Sequence, residues 1–498
     1  MPEGRPTPRC LSPEAAGLLQ GHADLHALSS LAGAQGIKLY LAGGAVRDLL
    51  LGRPVCDIDL VCDDPLTFAR RFAHERSLPF VMLDEERGVA RVVAPGLDLD
   101  FSAYRAAGRA SGRGGASALE ADLMERDFTV NAMAVPLEAV MTGRLSPLID
   151  PAGGEADLRA GLLRMVLPRS LADDPLRALR LYRLAAQYRF EIDPATREAA
   201  HAQAPRLGQV AGERLRAEIV RLLAVPCLPE LRDMAEAGDG GSLLGAIIPG
   251  VDDMRGVAQR GYHHLDVFGH ALATVEGMEA ALASPGDYFP CLEELAPYLA
   301  EAPLWLLKLA ALLHDAGKPE TAAPEGDHVS FHRHEESGEA IAESCTARLR
   351  FSRNEAQRLT RLVALHMRPF HLVRLLRLNE LTERGVRRMI DAAGDDFPGL
   401  FLLAMADSLA ASGPLKPTDA EALLADLFCR SARFLRDKLR PLRERPRLLS
   451  GHDLMAAFGL PPGPRVGELL EAVEDAALEG AVSSREEALA LIAALLKD

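Results

Sequence analysis

The feature that most narrows the fold of this 498-residue chain is a change of period near Gly161. Ahead of it, "IKLYLAG", "DIDLVCDD", "FVMLDEERGVARVVAPG" and "LDLDFSAYR" are short β-like runs broken by turn residues. Helical patterns lie between them, in "AVRDLLLG" and "DPLTFARRFAHERS", and an amphipathic helix over 18–34 precedes them. Beyond Gly161 the strand signal fades and helical periodicity takes over. The pattern predicts an α+β multidomain chain, an α/β head followed by an all-helical remainder. Length agrees, because a chain of this size divides into about two to four cores. Pro and Gly breaks at 248–261, 411–417 and 441–447 split the helical part into a neck, a His-rich middle and a tail. The expected segments are 20–160, 161–250, 251–412 and 413–498.

Composition removes several classes. Hydrophobic residues at 48% and charged residues at 26% describe an ordered globular protein rather than a disordered or fibrous one. No apolar run has the length of a membrane span, and Met1 to Leu11 is polar and proline-rich, unlike a signal peptide, so a cytoplasmic protein is expected. The seven cysteines (Cys10, Cys56, Cys62, Cys227, Cys291, Cys345, Cys429) are scattered and form no Cys-x-x-Cys pair, so reduced, mostly buried thiols are expected. A net charge of −15 disfavours a general nucleic-acid coat, whose binding rests on Lys and Arg neutralising phosphates. Arginines are nevertheless dense over 105–113 and 164–221, where any RNA contact should concentrate. The first of these stretches falls in "AAGRASGRGGASA", whose Gly, Ser and Arg content reads as a flexible loop.

Chemistry first shows in "LAGGAVRDLLLGRPVCDIDLV" (41–61). Residues i and i+2 of a strand project from one face, so Asp57 and Asp59 stand side by side, roughly 6 to 7 Å apart at Cα. That spacing suits two Mg²⁺ ions about 4 Å apart, which activate an attacking hydroxyl and steady a leaving pyrophosphate. Two carboxylates on one face otherwise repel; the alternative is a strand end turned to solvent. Gly43 and Gly44 come after the first strand and before a helix, where backbone N–H groups and the helix N-terminus can approach a triphosphate. Asp98 and Asp100 in "LDLDFSAYR" again share a face. Asp100 is favoured as a third carboxylate, with a strand-edge charge as the alternative.

Followed by Arg47, Asp48, Asp57 and Asp59, the glycine pair becomes specific. "GGAVRDLLLG…DIDLV" resembles the first motif of the class II tRNA nucleotidyltransferase and bacterial poly(A) polymerase family, within the polymerase β-like nucleotidyltransferases. The resemblance implies a polymerase β-like head with Asp57, Asp59 and Asp100 catalytic, Mg²⁺ on Asp57 and Asp59, and Gly43, Gly44 and Arg47 on the nucleotide. "ERDFTVNAMA" (125–134) resembles the second motif, in which Arg126, Asp127 and Asn131 would contact sugar and phosphates. Glu125 stands where the family has a further arginine. "IDPAGGEADLRAGLLR" resembles the hinge between head and neck, marked by Asp150, Gly154 and Asp157; turn residues look much the same, and no chemistry is assigned to it.

"LADDPLRALRLYRLAAQYRFEID" (171–193) reads as a helix beginning at an acidic N-terminus with Pro175 in its first turn. Asp174 and Arg177 are three apart, hence on one face. A carboxylate acceptor beside a guanidinium donor complements an amino group next to a ring nitrogen. Cytosine and adenine share that edge, whereas uracil and guanine present a carbonyl there. An i,i+3 ion pair is the alternative. The resemblance implies the base-reading role, with Asp173 where Glu is usual and with Arg180 also on the nucleotide. Arg177, Arg180 and Arg183, with Arg214 and Arg216 of "VAGERLRAEIVRLL", make either a solvated face or an RNA-facing neck; the resemblance, which covers most of 25–225, implies the neck.

The middle segment carries "YHHLDVFGHALATVE", "WLLKLAALLHDAGKPE", "HVSFHRHEESGEAIAE", "LVALHMRPFH" and "LLAMADSLA". His314 and Asp315 end an apolar helix, where adjacent polar groups are costly unless they bind something. Imidazole and carboxylate suit a divalent metal, although a lone buried His is more often a hydrogen-bonded core residue. The series resembles the HD phosphohydrolase superfamily, implying His270, His314, Asp315 and Asp407 as ligands of Ni²⁺, Mn²⁺ or Mg²⁺, and His334 and His366 at a second metal. Lys318 would bind phosphate or cap a helix C-terminus. The tail over 448–489 resembles the family's RNA-holding helices.

The reading that follows is an RNA 3′-end nucleotidyltransferase that adds all or part of CCA to the tRNA 3′ end from CTP and ATP, with a phosphohydrolase in the HD domain. The alternatives are a poly(A) polymerase, a CC-only or A-only enzyme, and, from another class, an HD phosphohydrolase with a relic head. The stretch 105–126 is several residues shorter than a full CCA enzyme would lead one to expect, which keeps partial addition in view.

Overall fold

The computed structural model describes residues 13–497 apart from 56, 104–115, 145–146, 239, 260–261, 326–327 and 479. Most of the Gly/Ser/Arg loop expected over 106–118, with Arg105, Arg109 and Arg113, lies outside the described residues, as do Cys10 and Cys56. The chain forms two compact units, Met1–Ala246 and Ile247–Asp498. No single described helix is long and apolar enough to cross a membrane.

The first unit is built on strands β1 (Tyr40–Ala42), β2 (Asp57–Cys62), β3 (Phe80–Asp84), β4 (Val89–Ala94), β5 (Leu97–Ala103) and β6 (Ala134–Pro136). They form one sheet in the order β3-β4-β5-β2-β1-β6, in which β2 and β5 are parallel and the other neighbours antiparallel. Ile58 and Leu60 are fully buried between the aspartates and beyond them, which fixes the strand's register, since a slip of one residue would send Asp57 and Asp59 into the core. Helices α1 (Ala23–Gln35), α2 (Gly44–Leu50) and α3 (Pro65–Arg76) accompany the sheet. The α3 start is set by Asp64, which accepts from Thr67 N–H, with Pro65 in the first turn. The strands expected from the sequence are all present.

Past the head the unit is helical, with α4 (Leu176–Tyr188) packed against α5 (Gly212–Leu223). The expectation of helices alone after Gly161 needs correction. Leu162–Leu163 and Glu191–Ile192 form a parallel pair, β7 and β8, and Ala323–Glu325 and His328–Ser330 an antiparallel pair, β9 and β10. Segments of two or three residues are too short to carry a period-2 signal.

In the second unit α6 (Val267–Ala283), α7 (Leu304–Leu313), α8 (His334–Arg348), α9 (Arg353–Leu365), α10 (Glu383–Ala393), α11 (Phe397–Ala410) and α12 (Ala420–Phe434) make an all-α core, and α13 (Pro464–Leu478) belongs to the tail. Helices α6 and α11 meet where a side chain on Gly277 would lie 2.7 Å from Ala406 O, so only glycine permits that approach. The tail has its own apolar cluster around Leu454, Leu469 and Ile492. It also meets α10 through charge: buried Arg387 pairs with Asp475 at 2.9 Å and with Glu471 at 3.2 Å.

The cysteine expectation is also corrected. Cys291 and Cys429 form a disulfide across 138 residues, with Cα atoms 5.7 Å apart, while Cys62, Cys227 and Cys345 are buried thiols outside any disulfide. Sequence spacing holds no trace of the pairing, because packing of Phe289 edge-on to Phe428, with centroids 5.1 Å apart, brings the segments together. Closing a loop of this length restricts the unfolded chain, so Cys291→Ser should lower stability by about 2 to 4 kcal/mol under oxidising conditions. Thermal melts with and without reductant check this: the gap to the unaltered chain should close when both are reduced.

Candidate active site and metal centre

Strand pairing assembles the first site. On one side of β2, β5 places Asp98 opposite Asp57 and Asp100 opposite Asp59; on the other, β1 places Ala42 opposite Asp59, so Gly43 follows directly beside it. Burial raises the pKa of Asp59, and the nearby Asp100 and Asp57 carboxylates raise it further, against Arg126 and Arg47. A site that holds a carboxylate at this cost suits a cation. Asp100 is the neighbour of Asp59, but Arg91, its register partner on β4, donates to both its oxygens at 2.6 and 2.7 Å and to Asp98 at 2.9 Å. Those bonds drive the Arg91 pKa higher still.

Gly43 works differently from the expected phosphate cradle, because its N–H already donates to Met133 O at 3.0 Å. What it supplies is room. With φ of 70°, a side chain there would overlap Arg126 Nη1 and lie 2.7 Å from Asp59 Oδ2. Gly43→Ala should therefore lower kcat/KM for nucleotide addition about 10- to 100-fold, through strain and displacement of Arg126. Steady-state kinetics alongside circular dichroism will separate this from unfolding.

The second-motif residues meet as a relay. Arg47, buried, donates to Asn131 Oδ1 at 2.6 Å, to Tyr188 OH at 2.6 Å and to Asp48 at 3.0 Å. Asn131 donates to Asp127 Oδ1 at 3.0 Å, and Arg180 to Asp127 Oδ2 at 2.9 Å. Burial alone would raise the Asp127 pKa, but Arg180, Asn131 and the Phe128 N–H overcome it and hold the carboxyl well below its usual range. Arg47 is thus committed to protein partners and braces the head against α4. Arg126 is the cation that faces Asp59, and its Nε has no partner among the described residues. Glu125 pairs with Arg169, while its backbone carbonyl accepts from Arg177 at 3.1 Å. Asp150 accepts from Gly154 and Glu155 N–H groups at 2.7 and 3.0 Å, and Asp157 from Thr129, as turn residues do.

Asp174 and Arg177 do not form the i,i+3 ion pair. Asp174 is extended (φ −143°, ψ 102°), ahead of α4, because the following Pro175 disfavours helical geometry at that position. Arg177 donates to Ser170 O at 2.9 Å as well as to Glu125 O. Asp174 accepts from Arg214 at 2.8 Å.

The second site lies in the second unit. Apolar α7 ends at Leu313 and delivers His314 and Asp315, both buried, into a group with His270 of α6, Asp407 of α11, His334 of α8 and His366 after α9. Gly317 permits this closeness: a Cβ there would lie 2.5 Å from Gly338 N. One Asp315 oxygen lies 3.2 Å from His314 Nε2 and 3.8 Å from His270 Nε2, the other 3.3 Å from His334 Nε2 and 3.7 Å from His366 Nε2. His314, His334 and His366 each turn Nδ1 onto a backbone carbonyl, of Ala311, Phe331 and Val363, at 2.9, 2.9 and 2.7 Å. With Nδ1 on a carbonyl, Nε2 is the ring atom turned inward on all three, the atom that would hold a metal. Two groups of three donors, His270-His314-Asp315 and Asp315-His334-His366, are close enough to hold an ion each and share one carboxylate. Lys318 caps no helix end; its Nζ binds Asp315 at 2.6 Å and Gln259 at 2.8 Å. His263, in "YHHLD" ahead of α6, stacks edge-on to His270 with centroids 4.3 Å apart, and burial together with the Lys318 charge pushes its imidazole down to about 3. A third cluster, His201-Asp233-Glu236, is bridged by Arg197, which contacts both acids at 2.8 Å and so takes the place of a metal.

Comparison with known proteins agrees with this geometry. Residues 39–164 match the poly A polymerase head domain, 189–253 an RNA and SrmB binding site of polymerase A, 267–396 the HD domain and 439–493 a tRNA nucleotidyltransferase domain 2. The A-adding tRNA nucleotidyltransferase of Deinococcus radiodurans is 36% identical over 91% of this chain and 94% of its own. The chain belongs to the tRNA nucleotidyltransferase family. The CC-adding tRNA nucleotidyltransferase of Thermus thermophilus is likewise 36% identical, over 91% of this chain and 92% of its own. The fold is shared with a CCA-adding enzyme solved with CTP (TM-score 0.64, 21% identity, 98% of this chain and 99% of that one) and with the Thermotoga maritima CCA-adding enzyme complexed with tRNA (TM-score 0.58, 22% identity, 95% and 94%).

In this tRNA nucleotidyltransferase family member, Asp57, Asp59 and Asp100 stand in register, Arg47, Asn131, Asp127 and Arg180 form one hydrogen-bonded chain, Asp174 and Arg177 have separate partners, and the six HD residues gather in the second unit. Sequence reasoning missed Arg91, Tyr188, Glu218 and His263. Only His263 had a local signal, its place in "YHHLD" ahead of His270.

Proposed function

We propose that the chain adds part of the CCA terminus, CC alone or A alone, to the 3′ end of tRNA. The observation that carries the chemistry is the in-register set of Asp57, Asp59 and Asp100, with Arg126 over Gly43. Supporting partial addition, the CC-adding and A-adding relatives align over about nine-tenths of the chain, whereas the multifunctional CCA protein of Pseudomonas aeruginosa covers 70% of it.

The donor set fits a hard divalent cation, so Asp57 and Asp59 would hold Mg²⁺, with Asp100 and its Arg91 partner beside them. Mg²⁺ supplies Lewis acidity for the attacking hydroxyl and charge neutralisation for the leaving group. The RNA 3′-oxygen forms a bond to the α-phosphorus, the α–β bridging bond breaks, and pyrophosphate departs. Arg126 offers its guanidinium to the phosphates. Asp174 and Arg177 accept from and donate to the base, selecting CTP and ATP over UTP and GTP.

In the HD domain, His270, His314, Asp315 and Asp407 would hold one metal and His334 and His366, through Asp315, a second. Neutral imidazoles favour Mn²⁺ or Ni²⁺ over Mg²⁺. When bound, the metal would supply Lewis acidity for hydrolysis of a phosphate ester such as a 2′,3′-cyclic phosphate, held by these residues. We place the protein in the cytoplasm, where tRNA ends are matured.

Staged tRNAs lacking CCA, CA-less or lacking only A, offered CTP, ATP or both, test the proposal. Addition that stops after CC, or that occurs only on a CC end, is expected. A complete CCA from both nucleotides contradicts partial addition, and long A tails on arbitrary RNA would make the chain a poly(A) polymerase.

A further inference from the structure

Helix α5 presents two groups to α4 and the segment before it. Arg214 and Glu218 are four residues apart, hence about one turn, on the same face. Glu218 is buried and takes Arg180 at 3.2 Å and Arg183 at 3.1 Å. One turn earlier, Arg214 Nη2 donates to Asp174 Oδ2 at 2.8 Å, while the Leu176 N–H donates to Asp174 Oδ1 at 3.2 Å. Both Asp174 oxygens are held, so the plane of the carboxylate is set. Arg177 takes no part in holding Asp174: one hydrogen of Nη1 and one of Nη2 go to the Ser170 and Glu125 carbonyls, which fixes the guanidinium and leaves its other N–H groups for the base.

The Arg214–Asp174 pair contributes little to folding, since the Arg214 side chain is 52% exposed. Its consequence lies at the site. A carboxylate that accepts from a base amino group must be ionised and aimed, and a fixed acceptor rejects a base that offers a carbonyl instead. The support is rigid, because moving α5 along α4 would break both buried Glu218 pairs and take from Arg183 its carboxylate partner.

We propose that Arg214 is a positioning residue for base choice, fixing Asp174 as the acceptor that distinguishes CTP and ATP from UTP and GTP; this rests on Asp174 and Arg177 being the base readers. The neighbouring-helix arginine then serves specificity and not RNA phosphates, the role that the family resemblance implied for it.

The test is single-nucleotide addition by the full chain to staged tRNA ends, each of the four nucleotides offered alone, for Arg214→Gln, Arg214→Lys and Asp174→Ala. In Arg214→Gln, kcat/KM for the nucleotide normally used should fall about tenfold while UTP and GTP addition does not fall with it, so that discrimination narrows about tenfold. KM for tRNA should stay unchanged, and Arg214→Lys, which keeps a cation, should recover most of the loss. Equal losses for right and wrong nucleotides, no change at all, or a rise confined to KM for tRNA would each overturn the proposal. Asp174→Ala separates the two layers. If it keeps full discrimination, the base-reading assignment itself fails; if it loses discrimination and Arg214→Gln does not, only the role of Arg214 fails.

Discussion

Asp57→Ala should reduce nucleotide addition to whichever staged tRNA end the unaltered chain extends by at least about a thousandfold, with the protein still folded. Asp57 is exposed on β2 and its removal leaves no buried group unpaired, whereas the neighbouring Ile58 and Leu60 keep the strand in place. Asp59→Asn should be as inactive. Burial already raises the Asp59 pKa, which means the ionised carboxylate is held at a cost in the metal-free protein. The neutral amide removes that cost, so the metal-free variant should melt no lower than the unaltered chain. Loss of addition together with a preserved melt assigns the defect to chemistry; a lowered melt would assign it to structure instead. Hydrolysis in the HD domain should survive both substitutions.

Asp315→Ala should have the converse effect: Mn²⁺- or Ni²⁺-stimulated phosphohydrolysis lost by at least about a thousandfold, with nucleotide addition retained. Asp315 is the carboxylate common to both donor groups, so no other single change disconnects both. Its removal also strands the buried Lys318 ammonium, which binds Asp315 at 2.6 Å. For that reason Asp315→Asn, which keeps volume and one acceptor, belongs in the same experiment. Metal content by elemental analysis after dialysis gives a readout apart from turnover and should fall in both variants, with affinity down at least 10- to 100-fold. Unchanged metal content would show that the imidazoles do not bind metal in concert with Asp315.

What the sequence disclosed was local. Asp57 and Asp59 were legible because an i,i+2 pair inside an apolar run has one geometry, and the β2 register turned them beside Asp100 as the spacing implied. His314 and Asp315 were legible because polar neighbours at the end of an apolar helix need a reason. Groups that act across the chain left no such trace. Arg91 neutralises Asp100 from nine residues away on an adjacent strand, Tyr188 braces Arg47 across 141 residues, and Arg214 rather than Arg177 answers Asp174 across 40. Gly43 shows the limit of motif logic most plainly. It follows β1 beside Asp59, but its N–H is occupied by Met133, and only the packing of Arg126 and Asp59 reveals that the space it leaves is what matters. Cys291 and Cys429 failed for the same reason, since a pairing over 138 residues is decided by helix packing.

The most direct test of the account is incorporation of labelled CTP and ATP into staged tRNA ends, lacking CCA, lacking CA and lacking only the final A, by the unaltered chain and by Asp57→Ala in parallel with Mg²⁺ present. The account predicts that the unaltered chain adds one or two nucleotides and stops, and that Asp57→Ala adds none. Absence of incorporation by the unaltered chain, or equal incorporation by the variant, would contradict it.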